Sequence, residues 1–235
     1  MALYTPTEAQ VASVREILQT FIPLELADFI LMEAKYWPCI HCERSEKIQV
    51  HARFYPDLKA AWCYLVSPPV PGTRSHEKKI QRVEFRMRSH DQGWATHPGP
   101  WSWFEAFIIQ PPASGESNPP WVEEALLHPI DLRAHSDGTA YDEHFSGSST
   151  ESNRRWHVSS NAIASRARQN HFISWTREEN TGDRDANSPK GREGLGHELV
   201  RMLKPGDRVA LLALAEQWGW ENHVIRASMD IYYSI

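Results

Sequence analysis

Arg82-Val-Glu-Phe-Arg-Met-Arg-Ser-His-Asp-Gln-Gly-Trp94, followed after a Pro/Gly loop by Trp101-Ser-Trp-Phe-Glu-Ala-Phe-Ile-Ile109, decides how this chain reads. Val83, Phe85 and Met87 alternate with Glu84, Arg86 and Arg88, which is the pattern of a strand with one face buried. Ser89, His90, Asp91, Gln92, Trp94 and His97 then read as a polar loop at the mouth of a β-hairpin. Polar side chains beside a Trp suit a binding or catalytic site, and they suit an internally tied structural loop equally well.

The same texture recurs along the chain. Ile48 to Phe54, Ala61 to Val66, Lys79 to Arg88 and Trp101 to Ile109 read as strands in the first half, and Arg155 to Ser159, His171 to Trp175, Arg208 to Leu214 and Val224 to Tyr233 in the second. In the last of these Ala227, Met229, Ile231 and Tyr233 share one face. Pro111 to Pro120 and Arg177 to Gly194 read as loops, Ala134 to Asn153 as a linker or lid, and Trp121 to His128 as no more than a helical turn. Arg82-Val83 precedes Gly93-Trp94 at the spacing by which Arg208-Val209 precedes Gly219-Trp220. That match suggests two related hairpins, each with a Gly-Trp corner, within halves 48–133 and 154–235.

The N-terminus is different. Thr5-Pro6-Thr7-Glu8 reads as a capping box with Pro at the first helical position, and Val11, Val14, Leu18 and Phe21 follow at helical spacing. After Pro23, Leu24, Ala27, Ile30, Leu31 and Ala34 define a second helix ending near Tyr36-Trp37-Pro38. Two short amphipathic helices need something to cover their shared apolar face. The expected architecture is therefore mainly β: a two-sheet β-sandwich over 39–235, with jelly-roll or galactose-binding-like connections, carrying a helical pair over 1–38. Two small β-units joined by 134–153 are the alternative.

Composition narrows the function. The chain has 235 residues, enough to bury a sizeable core, and a formal net charge of −5 with acids and bases intermixed, which argues against nucleic-acid binding. No apolar run approaches a membrane span and no secretory pattern opens the chain, so a cytoplasmic protein is expected. An odd count of three cysteines fits a reducing compartment. Ten Trp and 12 His raise the odds of a ligand site.

Ile22-Pro-Leu-Glu-Leu-Ala-Asp-Phe-Ile-Leu31 resembles the core of an F-box, which implies docking on the adaptor of a ubiquitin ligase; a helical hairpin packed on its own domain is the preferred reading. Tyr36-Trp37-Pro38, Ser89 to Trp94, Trp101-Ser-Trp-Phe-Glu105, Lys204 to Leu211 and Gly219-Trp-Glu-Asn-His-Val224 resemble the shared motifs of a large group of uncharacterised fungal proteins. That likeness implies an architecture and no chemistry. A weaker similarity to phloem-lectin-type sandwiches implies a ligand held at the loop end.

The candidate chemistry gathers at one place. His90 and Asp91 form a dyad only if the chain turns between them, since neighbours on a strand face opposite ways. Glu105, sharing parity with Trp103 and Phe107, is a candidate acid or base if buried among aromatics. Ser89, Gln92, Trp94, Trp101, Trp103, Trp220, Asn222 and His223 are the candidate ligand contacts, and Trp218 extends the aromatic set. Cys39, His41, Cys42, His51 and Cys63 lack the second close-spaced pair of a structural zinc site, so no metal is expected there. No nucleophile elbow, zinc-protease helix or phosphate-cradling loop is present, and no cofactor is expected. The leading expectation is small-molecule or glycan binding in an aromatic, His-lined cleft. The rival is a cofactor-independent cyclase, isomerase or hydrolase of fungal secondary metabolism using His90, Asp91 and Glu105.

Overall fold

Thr7, not Thr5, caps the first helix, α1 (Glu8–Gln19). Its hydroxyl accepts the Gln10 N–H at 3.3 Å, while the Gln10 side-chain oxygen accepts the Thr7 N–H at 2.9 Å. Glu8 cannot close the box expected from Thr5, because its carboxylate accepts from Lys78 Nζ at 2.5 Å and from the Tyr233 hydroxyl at 2.8 Å. The Tyr233 bond and an Arg15 bond to the Ile235 carbonyl fasten the helix to the C-terminal end of the chain, and the Lys78 bond ties it to the segment before Ile80. The second helix, α2 (Leu24–Glu33), ends where Lys35 takes a φ of 51°. The computed structural model describes residues 5–52, 59–72, 78–95, 99–112, 117–134, 155–178 and 196–235. The linker or lid expected over 134–153 lies outside these but for Ala134, the polar loop over 177–194 but for its first two residues, and His97 entirely.

The body is a two-sheet β-sandwich. Sheet A runs β1 (Cys39–Arg44), β10 (Glu221–Tyr233), β4 (Ile80–Asp91), β8 (Gln169–Thr176), with β2 (Ile48–His51) pairing the start of β10 beyond β1. Sheet B runs β6 (Ile130–Asp131), β3 (Lys59–Val66), β9 (Arg208–Glu216), β5 (Ser102–Ile109), β7 (Arg155–Ser160). Every pairing is antiparallel. Both sheets draw strands from both halves of the chain, so the body is one sandwich and not two β-units. Cys39 to Arg44, where no element was expected, is the edge strand β1.

Alternation fills the space between the sheets as the pattern requires. Val83, Phe85 and Met87 of β4 and Ala227, Met229, Ile231 and Tyr233 of β10 face Phe104, Ala106, Leu211 and Ala213 of sheet B in one core. The outer face of sheet B is also dry. Trp121 to His128 is more than a turn: α3 (Pro120–Leu127) lays Val122 and Ala125 over Ala61, Cys63, Trp103, Leu212 and Leu214. β9 is therefore buried on both faces from Val209 to Ala215, which is why it reads as an unbroken apolar run. Each fully buried Leu there is worth about 1.5–3 kcal/mol. Arg44 closes the seam, donating to the Ala125 and Leu126 carbonyls at the end of α3 and to the Tyr64 carbonyl. A fourth helix, α4 (Gly196–Met202), packs Leu199 and Val200 into the sandwich core.

The expected hairpins are not formed. β4 belongs to sheet A and its successor β5 to sheet B, while β9 belongs to sheet B and its successor β10 to sheet A. Each Gly-Trp stretch is an arch that carries the chain across the sandwich, and Gly93 and Gly219 supply the turns with φ of 89° and 78°. Because β4 pairs β10 and β5 pairs β9, the two arches lie side by side.

Candidate functional site

The paired arches bring the central motif and the second corner together. Asn222 stands opposite Asp91, His223 opposite His90 and Val224 opposite Ser89. The Trp94 ring lies against Gly219, where a Cβ would come within 2.7 Å of it. Ser89 to Asp91, expected in the loop, still belong to β4, so alternation sends Ser89 and Asp91 inward and His90 outward.

No His90–Asp91 dyad exists. His90 Nδ1 donates to the Asp91 carbonyl at 2.8 Å, and its ring stacks on His223 with centroids 4.5 Å apart and planes 11° apart. The Asp91 carboxylate, fully buried, accepts three backbone N–H bonds: Gly93 at 2.7 Å, Ala164 at 2.8 Å and Ser165 at 2.9 Å. It anchors the loop before β8 to the Gly93 corner. Gln92 completes the tie, accepting the Glu221 N–H at 3.0 Å, donating to the Trp94 carbonyl at 2.5 Å and offering its own carbonyl to Arg166 Nε at 2.9 Å.

Beneath the corner a polar network crosses between the sheets. Ser89 Oγ donates to Asn161 Oδ1 at 2.6 Å; Asn161 Nδ2 donates to Ser102 Oγ and Asn222 Oδ1, both at 3.0 Å. Asn222 Nδ2 then donates to the Trp103 and Leu214 carbonyls. With the single Ser89 proton given to Asn161, His171 Nε2 carries the hydrogen of its 3.0 Å contact to Ser89 and Nδ1 accepts from Ser159 at 2.9 Å. Burial holds the His171 pKa below its usual value and favours this neutral form. Ser89 and Asn222, candidate ligand contacts, are both fully buried, and their side chains are bonded to one another's partners across the two sheets. Asn161, Ser102, Ser159 and His171 gave no signal in the sequence, since nothing in their spacing marks them as partners.

The tryptophans divide sharply. Trp101, Trp103 and Trp220 are 6%, 0% and 0% exposed and belong to the interior, whereas Trp94 and Trp218 are 42% and 46% exposed. Trp103 Nε1 donates to Glu105 Oε1 at 2.7 Å, and Arg155 Nη1 holds Oε2 at 3.2 Å. Both Glu105 oxygens are thus engaged on a buried face beside α3, the core rim with a paired carboxylate that its parity allowed. It is not placed as a free acid or base.

Two further features lie away from the corner. A groove of about 500 Å³ runs between the start of α1 and sheet A, lined by Thr7, Glu8, Cys39, His41, Asp230 and Tyr233 among others. In it His41 Nδ1 donates to Asp230 Oδ1 at 2.6 Å, a His–carboxylate pair from strands 189 residues apart that no local motif announced. Cys39 beside it is a protonated thiol, its pKa pushed up to about 12 by burial and then by the Asp230 charge. Cys63 lies under α3 on the other sheet, so the five residues weighed as a zinc set do not converge. The second feature is the helical pair: Ile17, Phe21, Leu24, Leu26, Phe29 and Ile30 are 44–82% exposed.

Among the described residues no helix is long and apolar enough to cross a membrane. No protein-family model matches the chain, and no curated protein is significantly similar to it in sequence.

Proposed function

We propose that this chain is an intracellular binding protein that holds a small molecule or glycan on the aromatic corner of its sandwich, and that it belongs with the fungal proteins whose motifs it resembles. The observation that carries the reading is the exposure of Trp94, whose ring lies against Gly219, and of Trp218, next to Gly219 in the chain, when the other corner tryptophans are buried; His90 and His223 stack on the adjoining strand ends. Exposed Trp faces rimmed by polar groups suit the apolar faces of sugar rings and flat ligands. The enzyme reading has less support, because Asp91 and Glu105 are engaged in structural bonds. A glycan and metabolite array tests the proposal. Hits that vanish in Trp94→Ala and Trp218→Ala are expected; no hits, or hits that survive both substitutions, overturn it.

A second reading, favoured by the exposed apolar side chains of α1, α2 and the turn between them, is that the helical pair docks the ubiquitin-ligase adaptor implied by the F-box likeness. Co-purification with that adaptor tests it, with retention expected for the wild type and lost in Phe29→Asp. Failure of the wild-type chain to retain the adaptor sinks the ligase role and leaves the sandwich site untouched.

A further inference from the structure

The outer face of sheet A is charge-matched at one end and unmatched at the other. Glu84 and Asp230 form one rung of β4 and β10; Arg86 donates to both and Arg82 pairs with Glu84 at 3.1 Å. On the other side of the Arg86–Ser228 rung, Arg88 stands directly opposite Arg226. Side chains so placed have Cβ atoms about 5 Å apart, and like charges there are destabilising. Among the described residues no carboxylate pairs with either of them. Neither guanidinium has a hydrogen bond or ion pair among the described residues, and Arg88 Nε is buried without an acceptor.

The neighbours sharpen the contrast. On β8, Asn170 lies opposite Arg88 with an exposed amide, so one rung carries three donor side chains across three strands. The next rung holds His90 and His223, and Glu221 is taken by His223 Nε2 at 2.7 Å. Glu43, opposite Ser228, leans instead toward His41 Nε2 at 3.8 Å. A fold that pairs Glu84 and Asp230 fully yet leaves two arginines face to face carries a like-charge cost that a bound anion removes.

We propose that Arg88 and Arg226, with the Asn170 amide, bind a tetrahedral oxyanion, a phosphate or sulfate group. Guanidinium forks grip such oxygens in pairs, and two adjacent positive charges match the roughly −1.5 to −2 charge of a phosphate monoester at neutral pH better than they match a carboxylate. The anion arrives free or as the monoester of a larger molecule. The second form deepens the function proposed above and rests on it, since His90, two residues along β4, leads from this rung to the Trp94 corner.

The test is thermal unfolding and Arg side-chain Nε–Hε NMR of the full chain in sodium chloride, sulfate and phosphate at matched ionic strength, then with glucose 6-phosphate against glucose. Phosphate and sulfate are expected to raise the melting temperature over chloride and to shift the Arg88 and Arg226 signals. In Arg226→Gln, an exposed position, affinity for phosphate should fall by about tenfold or more while stability in chloride holds or rises. Equal response in wild type and Arg226→Gln, no response in the wild type, or lower stability of the variant in chloride overturns the proposal. Tighter binding of glucose 6-phosphate than of phosphate assigns the monoester, and equal binding the free ion. Trp94→Ala must keep the phosphate response; if it loses glycan hits but keeps that response, the two sites are separable.

Discussion

Replacing Asp91 by Ala removes the acceptor of three backbone N–H groups that join the Gly93 corner to the loop before β8. Hydrogen bonds to a charged group contribute about 1.5–3 kcal/mol each, but Ala164 is exposed and Ser165 half-buried, so water recovers part of the loss. A net of about 1–1.5 kcal/mol per bond gives roughly 3–5 kcal/mol, a large share of the stability of an ordinary domain. For a chain of this size that is a fall in melting temperature of about 6–20 °C. Asp91→Asn should cost about half as much, because its oxygen still serves Gly93 and Ser165 while its amide turns an N–H toward that of Ala164. Urea unfolding followed by Trp fluorescence measures both. An Asp91→Ala variant within about 1 kcal/mol of the wild type refutes the anchoring role.

The buried neutral His171 makes the sandwich acid-sensitive. Its folded pKa is lowered, so as pH falls below the ordinary value of 6.5 the unfolded chain takes up the proton first, and stability present above 6.5 is lost down to the lowered folded value. Melting temperatures from pH 8 to pH 5 should show this slope in the wild type and a shallower one in His171→Gln; equal slopes refute it. Glu105→Gln removes the carboxylate charge that Arg155 Nη1 holds, in a pair whose side chains are only 14% and 6% exposed, and should cost about 2–4 kcal/mol by urea unfolding, whereas an unchanged midpoint would mean the pair contributes nothing. Gly196→Ala puts a methyl group into the buried Trp175 ring and should destabilise by about 1–3 kcal/mol with a blue-shifted or broadened Trp signal; a neutral result would show that α4 can move off β8.

Local pattern determined the parts of this protein that depend on which way a side chain points. Val83-Phe85-Met87 and Ala227-Met229-Ile231-Tyr233 face the core because a strand alternates, and Glu8 to Gln19 is helical because its apolar residues recur at helical spacing behind a cap. The same alternation announced that His90 and Asp91 part company, and that Glu105 shares a face with Trp103. Period says nothing, however, about what stands across a strand or beyond it. Whether Gly93-Trp94 closes a hairpin or an arch depends on which sheet the next strand joins, and that is settled by the packing of whole sheets. Asn161 meets Asn222 across 61 residues of chain and His41 meets Asp230 across 189, so the network under the corner and the pair in the groove exist only once β10 lies between β1 and β4. In the sequence Arg88 only alternates with the apolar residues of its strand, as Glu84 and Arg86 do. Only the register of β4 against β10 sets it opposite Arg226, because a cross-strand neighbour is chosen by tertiary pairing and leaves no mark in the residues on either side of it.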